Sequence, residues 1–260
     1  MSRQPDRVAP PTAVQRLRVH YAKRGRLRFS SHRDFQRAFE RALRRAAVPM
    51  AYSAGFSPHP KVSYAGAAPT GVASEAEYLE IALAQRCDPS RLRAALDASL
   101  PGDLDVLDVV EVPAPEAGLR ATSLADRLGG SVWSVRLEGV PPAAAQAAVT
   151  RFLGLERAEV SRLTKNGTRT FDARGPVVAL TVAAAEAGSV DAGVPCAILR
   201  VVVRHVTPSV RPDDVLAALA SAGLATPVTP AVTRLAQGPL DAAAGTVSDP
   251  LAPDRGDVGA

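Results

Sequence analysis

The stretch Gly55-Phe56-Ser57-Pro58-His59-Pro60-Lys61 sets one imidazole between two prolines. Proline fixes its own φ and restrains the residue before it, so His59 sits on a stiff backbone, while Gly55 permits an unusual dihedral just upstream. An imidazole held this way can carry a proton or bind an anion near neutral pH. Earlier in the chain, Ser30, Ser31 and His32 stand at an expected helix start. Arg33, Arg37, Arg41 and the pair Arg44/Arg45 follow at about four-residue spacing. On a helix that spacing lines guanidinium groups along one stripe about 6 Å apart, a ladder suited to successive phosphates. Together with Lys61 and Tyr64, these residues could form a pocket for a phosphate, a base or a carboxylate, and a helix N-terminus would favour the anion. The plainer alternative is a tight loop that packs Phe56 and leaves His59 in solvent, beside an ordinary basic helix face.

Charge sharpens the question. Between Arg16 and Lys61 lie twelve Lys/Arg against only Asp34 and Glu40, a net of +10. The whole chain carries +5, so everything outside that window amounts to −5. Three of the four histidines, His20, His32 and His59, fall inside it as well. A basic surface concentrated in so short a segment suits a polyanion. Arginine outnumbers lysine 28 to 3, a bias that a GC-rich coding sequence alone can produce. A second basic tip, Lys165, Arg169 and Arg174, reads either as a polyanion contact or as a solvated turn, with Asp172 and Arg174 as a candidate ion pair.

Other chemistries find little support. His32 or His59 with Tyr64 could act as acid and base in RNA cleavage, but no spacing fixes such a pair, so no catalytic residue is assigned. The sequence contains no phosphate-binding P-loop, dinucleotide glycine motif, nucleophile elbow or iron–sulfur cysteine run. Two histidines without a cysteine or carboxylate partner make a poor metal site, and none is expected. Cys87 and Cys196 are too few for a disulfide framework or a cluster, and reduced thiols fit a cytoplasmic chain. No apolar run reaches membrane-spanning length, and MSRQPDRVAPPTA does not read as a signal peptide.

The elements that must position these groups form two blocks. Residues 1–13 and 237–260 read as disordered tails, and 114–130, rich in Pro and Gly, as a linker. In residues 14–113, alternation at Leu17, Val19 and Tyr21 predicts a strand, and a turn at Lys23–Arg26 leads to a second extended piece at Leu27–Phe29. Ser31, with Asp34 three residues on, caps a helix whose apolar positions are Phe35, Ala38, Phe39, Ala42, Leu43 and Ala46. Short strands near Met50–Ser53 and Tyr78–Ala84, a helix opened by Asp88-Pro89 and a strand at Leu104–Val112 complete the order β-α-β-β-α-β. Residues 131–236 repeat that order loosely, with an Asn166-Gly167 hairpin turn inserted. The expected fold is α+β, two tandem ferredoxin-like domains with disordered termini.

Phe29-Ser30-Ser31-His32-Arg33-Asp34 and the later RALRRAAVPMAYSAGFSPHPKVSYA, followed by Gly71–Ser74 and Glu77-Tyr78, resemble the radical SAM-linked proteins, domain of unknown function 2344. The resemblance is specific over residues 15–113 and looser to 235, where Lys165–Arg174 resembles a basic Asp-x-Arg stretch of that family. Arg33 departs from it, standing where many relatives have an apolar residue. The resemblance implies a partner, either a radical SAM protein or a ribonuclease E/G-type enzyme. S-adenosylmethionine and an iron–sulfur cluster would then belong to that partner, not to this chain. The expectation is a non-catalytic RNA-binding accessory module that presents RNA to a modifying or processing enzyme. An RNA-acting enzyme and an adaptor for an acidic protein remain the alternatives.

Overall fold

A computed structural model describes residues 13–113, 122–164, 167–183 and 194–255. Residues 1–12, the first eight positions of the expected linker (114–121), Lys165, Asn166, residues 184–193 and the last five positions lie outside these. Two units emerge. One takes in the chain through Gly71, then Glu77–Ala125 and the chain from Leu251; the other takes in Val72–Ala76 and Asp126–Pro250.

In the first unit, β1 (Gln15–Lys23) alternates as expected, with Leu17, Val19 and Tyr21 buried. The turn after it is real: Gly25 has φ +47°, and a Cβ there would collide with the Asp103 carboxylate. The extended piece expected at Leu27–Phe29, however, does not form. Gly25–Phe29 winds into a 3₁₀ turn with no buried side chain, which brings Ser30 to the start of α1 (His32–Arg45). Ser31 caps that helix as expected: its hydroxyl accepts from the Asp34 amide (3.2 Å) and donates to the Asp34 carboxylate (2.7 Å). That hydroxyl contact is the first cause holding Asp34 below the usual carboxylate range. Phe35, Ala38, Phe39, Ala42 and Leu43 form the buried face of α1, with Phe35 stacked on Tyr21 at 4.4 Å. The strand expected near Met50–Ser53 is absent; only single bridges form, Met50 to Leu83 and Tyr52 to Pro60. Its place is taken by β2 (Val62–Ala65), hydrogen-bonded antiparallel to β3 (Ala73–Leu83). Then come α2 (Pro89–Ser99), capped by Asp88, and β4 (Val106–Glu111), giving the strand order β4-β1-β3-β2.

The second unit runs β5 (Gly130–Glu138), α3 (Pro142–Leu153), β6 (Glu159–Thr164), β7 (Gly167–Asp172), β8 (Val177–Ala183), β9 (Cys196–Arg204), α4 (Pro212–Ser221) and β10 (Ala231–Gly238). Its sheet orders β10-β5-β9-β8, all antiparallel, while among the described residues β6 and β7 pair only with each other. Thr233 and Arg234 of β10 also pair in parallel with Ala73 and Ser74, so the sheet is mixed. Among the described residues the protein is thus an α/β chain with four α-helices and a mixed sheet.

The C-terminal tail departs from expectation. Gln237 and Gly238 end β10, β11 (Leu240–Asp241) pairs with β12 (Thr246–Val247), and Ala252–Asp254 forms a 3₁₀ turn. Leu251 is wholly buried and Asp254 nearly so, a correction to the disordered reading of 237–260 over its described part. The reason is long-range. Asp254 accepts from Arg18 Nη1 at 2.9 and 2.6 Å through both carboxylate oxygens, across 236 positions of sequence. At the other end of the expected linker, Leu124 and Leu128 are buried and Ala125–Arg127 forms a 3₁₀ turn.

Candidate nucleic-acid interface

The +10 window divides by environment. Four of its cations serve the fold. Arg16 pairs with Glu80, Arg24 with Asp105, and Arg18 with Glu80 and Asp254. Lys23 is buried and donates to the Ala68 and Pro69 carbonyls, each at 3.4 Å. The other eight, Arg26, Arg28, Arg33, Arg37, Arg41, Arg44, Arg45 and Lys61, are exposed. The five on α1 make no ion pair among the described residues. Glu40 does not neutralise Arg44, although four-residue spacing makes the pair available. α1 therefore buries one apolar face and presents to solvent a row of guanidinium groups that make no ion pair among the described residues.

The expected single pocket separates into two places along α1. At the N-terminal end, the His32 ring meets Tyr64 edge-on at 5.0 Å, and His32 Nε2 lies 3.1 Å from the Gln36 amide nitrogen. Burial first, and the Glu40 charge second, push the Tyr64 phenol above its ordinary range, so it stays protonated and is a poor general base. Ser30, Ser31 and His32 line a recess with Lys23 and Glu77, whose carboxylate accepts from the Ala68 amide at 3.1 Å. The recess holds about 10 Å³, room for one water at most.

His59 stands elsewhere. The Ser53 amide donates to its carbonyl (2.8 Å) and its own amide donates to Ser53 Oγ (3.0 Å), closing the loop over Ser53–Pro60. The loop holds His59 against the C-terminal half of α1, where it lines a cleft of about 390 Å³ with Glu40, Leu43, Arg44, Met50 and Tyr52. Phe56, at the loop tip, is 94% exposed rather than packed, and Phe29 is 59% exposed beneath the Arg28 guanidinium. The Lys61 backbone amide donates to the Ala51 carbonyl (2.8 Å), and its side chain stays exposed. His59 thus lines a different recess from His32 and Tyr64.

In the second basic tip, Arg174 serves the fold. Arg174 does not pair with the Asp172 carboxylate; it donates to the Val177 and Leu153 carbonyls and lies over Phe152. Burial raises Asp172, but the Ala158, Arg174 and Gly175 amides outweigh it and hold the carboxyl below its usual range. The Asp-x-Arg stretch is a turn-former. Arg169 is exposed, and Lys165 lies outside the described residues.

Residues 16–212 match the family model described as an uncharacterized protein conserved in bacteria, DUF2344. The chain belongs to that family. No curated protein matches it. Among solved structures it is similar to an unknown protein from Galdieria sulphuraria, at 12% identity over 85% of this chain and 98% of that one, with a TM-score of 0.24.

Sequence reasoning about this DUF2344 chain overlooks Tyr52 and undervalues Glu40. It places Tyr52 in a strand that does not form, and Glu40 within reach of an ion pair that is not made. No local signal reports either fact, because both depend on how the Ser53–Pro60 loop folds back on α1. His205 joins a buried serine: its Nδ1 lies 2.7 Å from the Leu128 carbonyl and its Nε2 2.7 Å from Ser131 Oγ. Among the described residues no group of His, Cys, Asp or Glu could hold a metal ion, and no helix is long and apolar enough to cross a membrane. Both cysteines are free thiols.

Proposed function

We propose that this DUF2344 chain is an RNA-binding accessory module whose contact surface is the exposed arginine row of α1. The carrying observation is that Arg33, Arg37, Arg41, Arg44 and Arg45 are all exposed and none is used in an ion pair among the described residues. Natural proteins usually intersperse opposite charges on a surface; a one-signed row repels itself and is stabilised by a polyanion. The flanking aromatics Phe29 and Phe56 suit single-stranded RNA, whose bases stack on exposed rings while arginines follow the backbone. In this reading the chain presents RNA to a partner, a radical SAM protein or a ribonuclease E/G-type enzyme. S-adenosylmethionine and its cluster would reside on a radical SAM partner. The elements also support reading each unit as ferredoxin-like. Both run β-α-β-β-α-β once the β6–β7 hairpin is set aside as an insertion, and both order their strands last-first-third-second.

Fluorescence anisotropy with a labelled single-stranded RNA tests the proposal. The wild-type chain should bind in a salt-dependent way, and Arg37→Glu with Arg41→Glu should weaken binding at least tenfold while leaving the unfolding midpoint unchanged, since both side chains are exposed. Undiminished binding by the double variant would remove α1 from the interface and with it the proposal.

A further inference from the structure

The cleft at the C-terminal half of α1 has a composition that a plain phosphate-binding surface does not need. Its floor is apolar, from Leu43 and Met50, both buried. One wall is the half-exposed ring of Tyr52; another is His59, held by the closed loop. Arg44 stands on its rim as a free cation. At about 390 Å³ the cleft falls within the range of small-molecule sites, about 300–1,000 Å³. A flat heterocycle with a phosphate attached fits this set: apolar floor and aromatic wall for the ring, guanidinium and imidazole for the phosphate.

Glu40 decides which heterocycle. Arg37, Arg41 and Arg44 are its neighbours along the helix, yet its carboxylate pairs with none of them. It faces the same cleft as Arg44, half-buried. A carboxylate beside a polyanion track is unfavourable unless it accepts hydrogen bonds from the ligand. A carboxylate is acceptor-only and binds best to two parallel N–H donors. Of the four RNA bases only guanine offers two adjacent donors on one edge, N1–H and the N2 amine. Adenine and cytosine each offer a single amine beside an acceptor nitrogen, and uracil a single imide N–H between two carbonyls.

We infer that the cleft binds one unstacked guanine nucleotide of single-stranded RNA, with Glu40 accepting from N1–H and N2–H, Tyr52 packing on the base, and Arg44 with His59 on the adjoining phosphate. The inference rests on the RNA-binding reading and adds a base preference to it. α1's remaining arginines bind any strand; the cleft selects where along the strand the protein settles.

The test uses the full chain and a labelled uridine-only strand, alone or with one central guanosine, adenosine, cytidine or inosine. The guanosine strand should bind about tenfold more tightly than the uridine-only strand, the adenosine and cytidine strands should not, and inosine, lacking the N2 amine, should fall between. Glu40→Gln, which replaces the acceptor pair with an amide at a position holding no ion pair, should abolish the guanosine preference. Because the carboxylate meets no donor pair on a uridine-only strand and repels its phosphates, the same variant should bind that strand as tightly as the wild type or more tightly. Equal binding of all strands by the wild type, or a guanosine preference that survives Glu40→Gln, overturns the cleft assignment alone. Failure to bind any strand at low salt overturns the RNA reading and the cleft with it.

Discussion

The most heavily constrained side chain in the first unit is Arg18, which has no exposed surface. Its guanidinium reaches both Asp254 oxygens, Glu80 Oε2 at 3.1 Å and the Thr122 carbonyl at 2.6 Å. A charge taken from water is tolerated only while such partners remain, and removing one partner of a buried pair costs about 3–5 kcal/mol. Asp254→Ala should therefore lower unfolding free energy by about that amount in urea titration. Asp108→Ala, which breaks a pair to Arg255 that is over a third exposed on both sides, should cost about 0–1 kcal/mol. Near-equal effects would mean that Arg18 is reached by water. His205 makes a second, pH-linked prediction. The Leu128 carbonyl can only accept, so Nδ1 carries the proton and the bare Nε2 accepts from the Ser131 hydroxyl. Partial removal of its ring from water, in a residue that otherwise remains exposed, is the main cause that sets His205 below its ordinary value of 6.5. The unfolded chain then binds a proton the folded chain refuses, so this contribution to stability is complete above about pH 6.5 and declines as pH falls below it. Thermal midpoints from pH 8 down to 5 should fall more steeply for wild type than for His205→Gln; parallel curves would contradict this assignment.

At the scale of elements, the sequence reveals what local physics determines. α1 is legible because its cap, Ser31 with Asp34, and its apolar period, from Phe35 to Leu43, all lie within one short segment. α2 is legible for the same reason, since Asp88 accepts from the Arg91 amide at 2.9 Å directly before Pro89. The β6–β7 hairpin follows from its turn residues and pairs as expected, Val160 opposite Phe171. The failures share a different cause. Met50–Ser53 has strand-like residues but its backbone is taken up in a loop closure, Ala51 bonding to Ala82 and Lys61, and β2, a four-residue strand, supplies the antiparallel pairing to β3 instead. The tail after Leu235 shows no periodicity because its order comes from single anchors, Leu251 and Asp254, and not from a repeating face. In the candidate interface the arginine row is legible by spacing alone. The separation of His59 from His32 is not, because it depends on where the Ser53–Pro60 loop lies against α1.

For the whole molecule the decisive quantity is how much of the basic window is already spent. Four of its twelve cations are committed to carboxylates or carbonyls within the fold, and the remaining eight are exposed. The net charge of +5 thus conceals a one-sided surface, since acidic residues dominate the rest of the chain. This has a thermodynamic signature independent of any variant's absolute affinity. Each phosphate neutralised on a single strand releases counterion and contributes about −0.7 to the slope of log affinity against log salt concentration. If the five α1 arginines each meet one phosphate, the slope should be about −3.5, and Arg37→Ala with Arg41→Ala should reduce it to about −2.1. Binding isotherms for a uridine-only strand across a salt series measure both values. A slope near zero for the wild type would mean that the strand is held by stacking and hydrogen bonds alone. A steep slope unchanged in the double variant would place the phosphate contacts on cations other than the α1 row. The predicted drop requires the row itself to follow the backbone, which is what an unpaired ladder of guanidinium groups on a well-capped helix is built to do.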